Sequence, residues 1–544
     1  MSMIKDALNI TYAYAASISQ LKHVEFIEKA LNEISKSDVD YGDIHFTIEK
    51  SYQETQEILS KINERESIRR SKGVYYTPYD VVRFIVSNSI KLSAGELTSD
   101  NISDPIARQI EYKDFCRKKT VFDPTCGAGE FLLAVLEQKF DLWDSNSNMT
   151  KNDIEKIVGT IHGNDINEES IIITKLRLYL AAVHRYGVEK CVRIPIILNN
   201  SFTTNDYVVQ PPSKEEGYDI IVGNPPYVED SKSGLNPLKR YGNIYANVLV
   251  NAAERLKIGG VIGFVIPLSF ISTPRMKQLR EDLYEIVPKQ YILSYSDRPD
   301  CLFTSVHQKL CILLCKKEKN ERKIYTGNYQ YWYKEERSKL FENTMITLNN
   351  YVSEGYVPKL GNHSDISIYA KVTARENRTS LIEMSDMEGD TVFLNMRAAF
   401  WIKAFRNEHR GSEYKIFKFD EPGKADYFMC LLNSSLFWWY WVCVSDCWHI
   451  TRKELLGFMV PPLNDYTEVS RLALLIENRL EETKEYVGTV QTNYEYKHKL
   501  CVDEIHEIDD YINGLYSLTN EESEYIKNFA HVYRVSGGVA NESN

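Results

Sequence analysis

Tyr218-Asp219-Ile220-Ile221-Val222-Gly223-Asn224-Pro225-Pro226-Tyr227 is an apolar run that stops abruptly. Its first half reads as a strand buried on both faces, as in the centre of a parallel sheet. Two successive prolines cannot continue a hydrogen-bonded ladder, so they fix a rigid turn at the strand's end. Such a turn can aim the Asn224 side-chain oxygen and the Pro225 carbonyl at one point. Two converging acceptors suit both hydrogens of an amino group, held in advance for reaction. Tyr227 adds an aromatic face on which a flat ring can stack. A tight strand-end turn with no chemistry has the same local sequence.

Outward from this run, the stretch from Gly73 to about Lys317 alternates short apolar segments with amphipathic ones. KTVFDP, IVGTIHGND, VRIPIILNN, GGVIGFVIP, KQYILSYS and KLCILLCKK join YDIIVGNPP as predicted strands. EFLLAVLEQKFDLW, EESIIITKLRLYLAAVHRY and NVLVNAAERLKIGG read as helices between several of them. The pattern predicts an α/β fold: a doubly wound, Rossmann-like sheet of seven strands that binds ligands at its carboxyl edge. We expect an N-terminal helical segment (1–70), this catalytic domain (71–320), a mixed α/β region (321–463) and an acidic helical region (464–544). Thr519 and Glu522 have capping-box spacing for one of the last helices.

Two further sites lie upstream. VFDPTCGAGEF joins a strand to a helix through a turn in which Gly127 and Gly129 let the backbone approach a ligand. It matches neither a triphosphate loop nor a complete dinucleotide fingerprint. Asp123 before the turn can hold an ammonium group. Asp165, in GNDIN, can accept from both hydroxyls of a ribose, although it and Asn167 also suit a helix N-cap. Asp165 follows Gly129 by 36 positions, so an insertion is expected between them.

The chain has 544 residues, 43% of them hydrophobic and 26% charged, which is a globular composition. Nothing resembles a secretory signal or a span of about 18 apolar residues, so a cytoplasmic protein with no membrane association is expected. The ten cysteines show no disulfide framework. Cys443, Cys447 and His449 lack the second pair that a zinc site needs, so no metal is expected. The net charge of −11 is concentrated at the end: residues 461–544 hold 16 acidic and 7 basic side chains, leaving −2 for the remainder. Residues 301–340 carry nine Lys/Arg, Lys309 among them, against four Glu, and are expected to face phosphates.

The order of these motifs resembles the gamma class of adenine-N6 DNA methyltransferases of restriction-modification systems, type II and type IIG-like. The resemblance implies S-adenosylmethionine as cofactor and double-stranded DNA as substrate, with the target adenine flipped out of the helix. GVYYTP, with Tyr76, Thr77 and Pro78, looks like the element closing over the methionine portion. DPTCGAGEF, with Asp123, Pro124, Thr125, Cys126, Gly127, Gly129 and Phe131, looks like the cofactor loop, and Asp165-Ile166 like the ribose-binding strand end. Asn224 is shared between cofactor and base. Phe303, in CLFTSVHQKL, matches the aromatic position that packs against the flipped base. In ILNNSF the family commonly has Asp where this chain has Asn200, before Ser201; Asn200 would accept from the cofactor's adenine amino group.

LLNSSLFWWYW and the helices after it look like the family's target-recognition region, with Arg452 and Lys453 as expected DNA contacts. The aromatic stripe Phe437–Trp441 is expected to be core. The implied partners are double-stranded DNA and a separate restriction endonuclease, with the chain a monomer on DNA. Methylation of RNA, of protein glutamine or of cytosine N4 remains open at this point, since an Asn-Pro-Pro-Tyr turn serves those amino groups as well.

Overall fold

The computed structural model describes residues 2–38, 41, 50–64, 77–106, 112–210, 217–237, 239–303, 307–319, 321–352, 355–488 and 493–536. Its centre is a mixed sheet in the order β3-β2-β1-β4-β5-β7-β6-β8-β9. The strands are β1 (Val121–Asp123), β2 (Ile161–Asp165), β3 (Phe202–Thr204), β4 (Tyr218–Gly223), β5 (Leu256–Pro267), β6 (Lys289–Tyr295), β7 (Leu310–Lys316), β8 (Lys323–Gln330) and β9 (Thr347–Leu348). Parallel pairing runs from β3 to β5; β7 lies antiparallel between β5 and β6. Six of the seven expected segments are strands of this sheet; β3, β8 and β9 complete it, and the sheet continues past the boundary drawn at residue 320.

Alternate residues of each strand feed two different cores, as the two-residue strand period requires. Ile221, Ile262, Phe264 and Leu313 face one side, and Ile220, Val222, Val261, Val265 and Leu314 the other. On the second side pack α1 (Ser2–Ile18), α2 (Val24–Ser35), α3 (Tyr52–Glu64), α4 (Tyr79–Ala94), α5 (Glu130–Asp144), α6 (Lys151–Val158) and α7 (Glu168–Tyr186). Helix α7 shows why such a segment forms. Asn167 caps its first turn by accepting from the Glu169 N–H, Glu168 and Glu169 face the positive end of the dipole, and His184 and Arg185 occupy its last turn. Helix α6 is the insertion expected between Gly129 and Asp165.

VRIPIILNN is a correction. It forms α8 (Ile194–Ser201), with Pro195 in its first turn, and β3 begins only at Phe202. A short apolar run fits a buried helix as well as a strand, and a proline inside it argues against a central strand.

On the first side, α9 (Ile244–Glu254) shares its core with the C-terminal half of the chain. That half includes a three-stranded antiparallel sheet (Asp390–Asn395, Ala404–Phe405, Tyr414–Phe419) and α10 (Ser435–Val444). Phe437 to Trp441 are at most 1% exposed, so the aromatic stripe is core. Among the described residues no single helix is long and apolar enough to cross a membrane; Pro422–Asn433 and α10 pass that test together but are bent by 60°. All ten cysteines are buried, with free thiols. The Thr519–Glu522 capping box opens the helix Asn520–Asn528 as expected.

Candidate active site

Strands β2, β1 and β4 are neighbours, so their carboxyl ends bring Asp165, Asp123 and Asn224 to one edge of the sheet. Gly223 permits the closest approach: a Cβ there would lie 2.8 Å from Asp123 Oδ1. Asp123 is 1% exposed and accepts from the Thr125 N–H at 3.0 Å. Burial holds its carboxyl well above the usual range, and Asp165 beside it pushes the same way against that hydrogen bond. A cation placed between them would relieve both costs.

Asp165 takes one backbone N–H on each oxygen, from Gly127 and from Asn167, both at 2.9 Å. This ties the Gly-rich turn to β2. The turn is also held by the Cys126 N–H donating to Asn164 at 2.8 Å. Gly129, at φ +84°, sits where a Cβ would meet Thr174 at 2.6 Å, whereas a Cβ on Gly127 would meet nothing within 4 Å. The open side of the turn is thus at Gly127. The Thr125 hydroxyl is buried there without a hydrogen-bond partner among the described residues, and Ile166 is 65% exposed at the end of β2. An orphan hydroxyl, two acidic groups and an exposed apolar side chain fit a ligand bearing an ammonium group, a ribose and a flat base. Pro124, Cys126 and Phe131, expected in contact with that ligand, are buried and support the turn from behind.

Thr77 and Pro78 precede α4, and Thr77 is buried against the Asn-Pro-Pro-Tyr turn. The Asn224 Nδ2 donates to the Thr77 hydroxyl at 3.0 Å. That bond assigns the donor end of the amide to Thr77 and turns its acceptor end to other donors. Tyr227 is tethered by its hydroxyl, which donates to the Val265 carbonyl at 2.8 Å, so its ring is fixed beside the turn. Tyr76 lies outside the described residues.

Other expected contacts stand in different settings. Asn200 and Ser201 are in the last turn of α8, and the Ser201 hydroxyl is spent on the Ile197 carbonyl at 2.9 Å. The carboxyl edge of β3 is instead followed by Asp206, half-buried, whose Oδ1 caps the Val208 N–H at 3.0 Å, and by Tyr207. Reading VRIPIILNN as the strand hid them; the proline was the signal. Phe303 is 1% exposed and packed in the core, so no face of its ring is open to a base.

Lys309 is 14% exposed, paired with Asp297 at 3.4 Å, and Lys453 donates to the carbonyls of Ser272 and Val444, each at 2.7 Å. Both are internal ties and make poor phosphate contacts; Arg452 is exposed. The wider basic stretch divides because β7 runs antiparallel to β5, carrying Lys316 to the amino-terminal edge, opposite Val261. Lys323, paired with Lys289 at the start of β6, lies at that same far edge. Arg337 is also internal, gripping Asp80 through Nε at 2.6 Å and Nη2 at 3.0 Å.

A family model described as N-6 DNA Methylase matches residues 57–377. The chain is 25% identical over 214 residues to the adenine-specific methyltransferase PglX of Streptomyces coelicolor, a match covering 32% of this chain and 16% of that protein. It is 27% identical over 230 residues to the type II methyltransferase M.BanIII of Aneurinibacillus aneurinilyticus, covering 40% of this chain and 34% of that one. The matches therefore span about a third or less of these relatives' lengths. Among solved structures, the type IIL restriction-modification enzyme MmeI in complex with DNA superposes with a TM-score of 0.51 at 12% identity, over 88% of this chain and 81% of that one. At that identity the likeness is one of fold.

Proposed function

The chain belongs to the N-6 DNA methylase family, and from that membership we propose that it transfers a methyl group from S-adenosylmethionine to adenine N6 in double-stranded DNA. The observation that carries this reading is the Asn224 amide, its nitrogen engaged by Thr77 at 3.0 Å, on a rigid turn beside the two acidic strand ends. Asp123 holds the cofactor's ammonium group and Asp165 its ribose hydroxyls. Gly127 gives its backbone room, and Asp206, in place of Asn200, accepts from its adenine amino group. When bound, the cofactor supplies a methyl group on a sulfonium leaving group.

The protein's own task is to prepare the nucleophile. The N6 lone pair is delocalised into the purine ring. Acceptance of both amino hydrogens, by Asn224 Oδ1 and the Pro225 carbonyl, favours a tetrahedral nitrogen and returns that pair for attack. Pro226 keeps the turn stiff, and Tyr227 stacks on the flipped base. N6 sheds one proton to water, since neither an amide oxygen nor a backbone carbonyl retains one near neutral pH.

We assign catalysis to the large sheet and its helices, target recognition to the region after β9 through residue 463, and a supporting role to the acidic helices from 464 onward. Recognition and catalysis in one chain need no second subunit for the reaction, which supports a monomer on DNA, with any restriction endonuclease separate. Radiolabelled cofactor offered in parallel to duplex DNA, to tRNA and rRNA, and to cell protein tests the reading. Label is expected in DNA as N6-methyladenine and absent with Asn224→Ala. Label in RNA, in protein or at cytosine N4, or an Asn224→Ala protein as active as wild type, refutes it.

A further inference from the structure

Trp448 is 43% exposed, while the other tryptophans of the chain are buried or half-buried. Its backbone is nonetheless held firmly. The Trp448 N–H donates to Asp446 Oδ1 at 3.0 Å, and its carbonyl accepts from the Ala398 N–H at 3.2 Å. Cys447 just before it adopts φ +56°, a strained conformation for a residue with a side chain, and its N–H donates to the Ser445 hydroxyl at 2.9 Å. The turn is built to hold an indole out at the surface.

Its place in the fold is specific. The Lys309 Nζ lies 4.3 Å from the indole centroid. Lys309 stands immediately before β7, and its carbonyl accepts from the Leu268 N–H at 3.0 Å, just past the end of β5. This is the carboxyl edge of the sheet, two strands from Asn224, or roughly 10 Å to the side. Arg298 is exposed, 5.9 Å from the same ring. Arg397 is exposed on the segment bridged to His449, where it also pairs with Glu413 at 3.2 Å. A fixed aromatic face between cations matches the chemistry of a nucleic acid, with a base for the ring and phosphates for the arginines.

We propose that the Trp448 indole enters the DNA base stack beside the adenine turned out toward Asn224, covering the stacking surface that the base leaves behind. The proposal rests on the DNA methylation reading. Turning a base out costs a few kcal/mol, and an indole in the gap offsets part of that cost. Trp448 is thus a positioning residue, acting on the DNA rather than on the reacting nitrogen.

The test uses a duplex carrying the methylated site, located by modified-base sequencing, in two forms: fully paired, and lacking the base opposite the target adenine. Trp448→Ala is expected to slow methylation of the paired duplex by about 5- to 150-fold, with cofactor affinity unchanged. Trp448→Phe recovers most of the rate. On the duplex lacking the opposite base, where flipping is cheap, Trp448→Ala comes within about threefold of wild type. Indole emission of wild type, but not of Trp448→Phe, falls when paired duplex is added. Equal losses on the two duplexes, a Trp448→Ala rate within about twofold of wild type on paired DNA, or emission unmoved by DNA overturns the proposal alone. Wild type that leaves DNA unlabelled overturns the methylation reading and this proposal with it.

Discussion

Arg177→Met isolates what the N-terminal helices contribute to the cofactor turn. Arg177 is buried in α7; its Nη1 donates to the Ala128 carbonyl at 2.7 Å and to Glu130, Nη2 to the second Glu130 oxygen at 3.1 Å, and Nε to Gln56 of α3 at 3.0 Å. Glu130 follows Gly129 directly, so α3 is linked to the Gly-rich turn through the Ser60 hydroxyl, which donates to Glu130, and through this guanidinium. Removing it strands a carboxylate that is 17% exposed and keeps the Ser60 hydroxyl. Breaking a buried pair costs 3–5 kcal/mol, and that residual solvation places this one at the low end, about 3 kcal/mol. Losing the bond to Ala128 loosens the turn as well, so cofactor affinity falls about tenfold. The Arg177→Met/Glu130→Gln double variant leaves no stranded charge and returns to within about 1 kcal/mol of wild type. Urea denaturation followed by circular dichroism, with calorimetric titration of the cofactor, measures both quantities. A single variant within about 1 kcal/mol of wild type and unchanged in affinity, or a double variant no more stable than the single, refutes the coupling.

Two further outcomes are expected. Burial lowers the His498 imidazole to about 3 from an ordinary 6.5; the unfolded chain therefore takes up the proton first, and stability falls with pH below about 6.5. Between pH 7 and 5 wild type is expected to lose about 2 kcal/mol relative to His498→Gln, and parallel denaturation curves at the two pH values would exclude this. Charge reversal at Lys316 and Lys323, on the far edge of the sheet, is expected to leave the salt dependence of DNA binding unchanged, while Arg452→Ala lowers its slope by about one, read from titrations at several salt concentrations.

Much of the site was legible from residue order. The YDIIVGNPPY run announces its strand because an apolar segment ending in two prolines has few other uses, and the segments around Asp123 and Asp165 each carry turn chemistry that marks a strand's end. VRIPIILNN misled because a buried helix and a buried strand share one composition. It placed the expected cofactor contact at Asn200, in α8, whereas Asp206 is the acidic side chain that follows the carboxyl edge of β3. The basic stretch misled for a different reason: charges adjacent in sequence were separated across a sheet by a strand of seven residues, about 20 Å long.

Residue order alone specifies the local conformations: the strand stop at Asn224, the Gly-rich turn at 127–129 and the capped helices. These follow from forces acting over a few residues, where proline, glycine and capping side chains dominate. Which side chains meet was decided only by tertiary structure. Thr77 bonds Asn224 across 147 positions, Lys309 and Lys453 are consumed internally, Phe303 is covered, and Trp448 is left at the surface. Burial and pairing depend on strand order and direction, which no local pattern encodes.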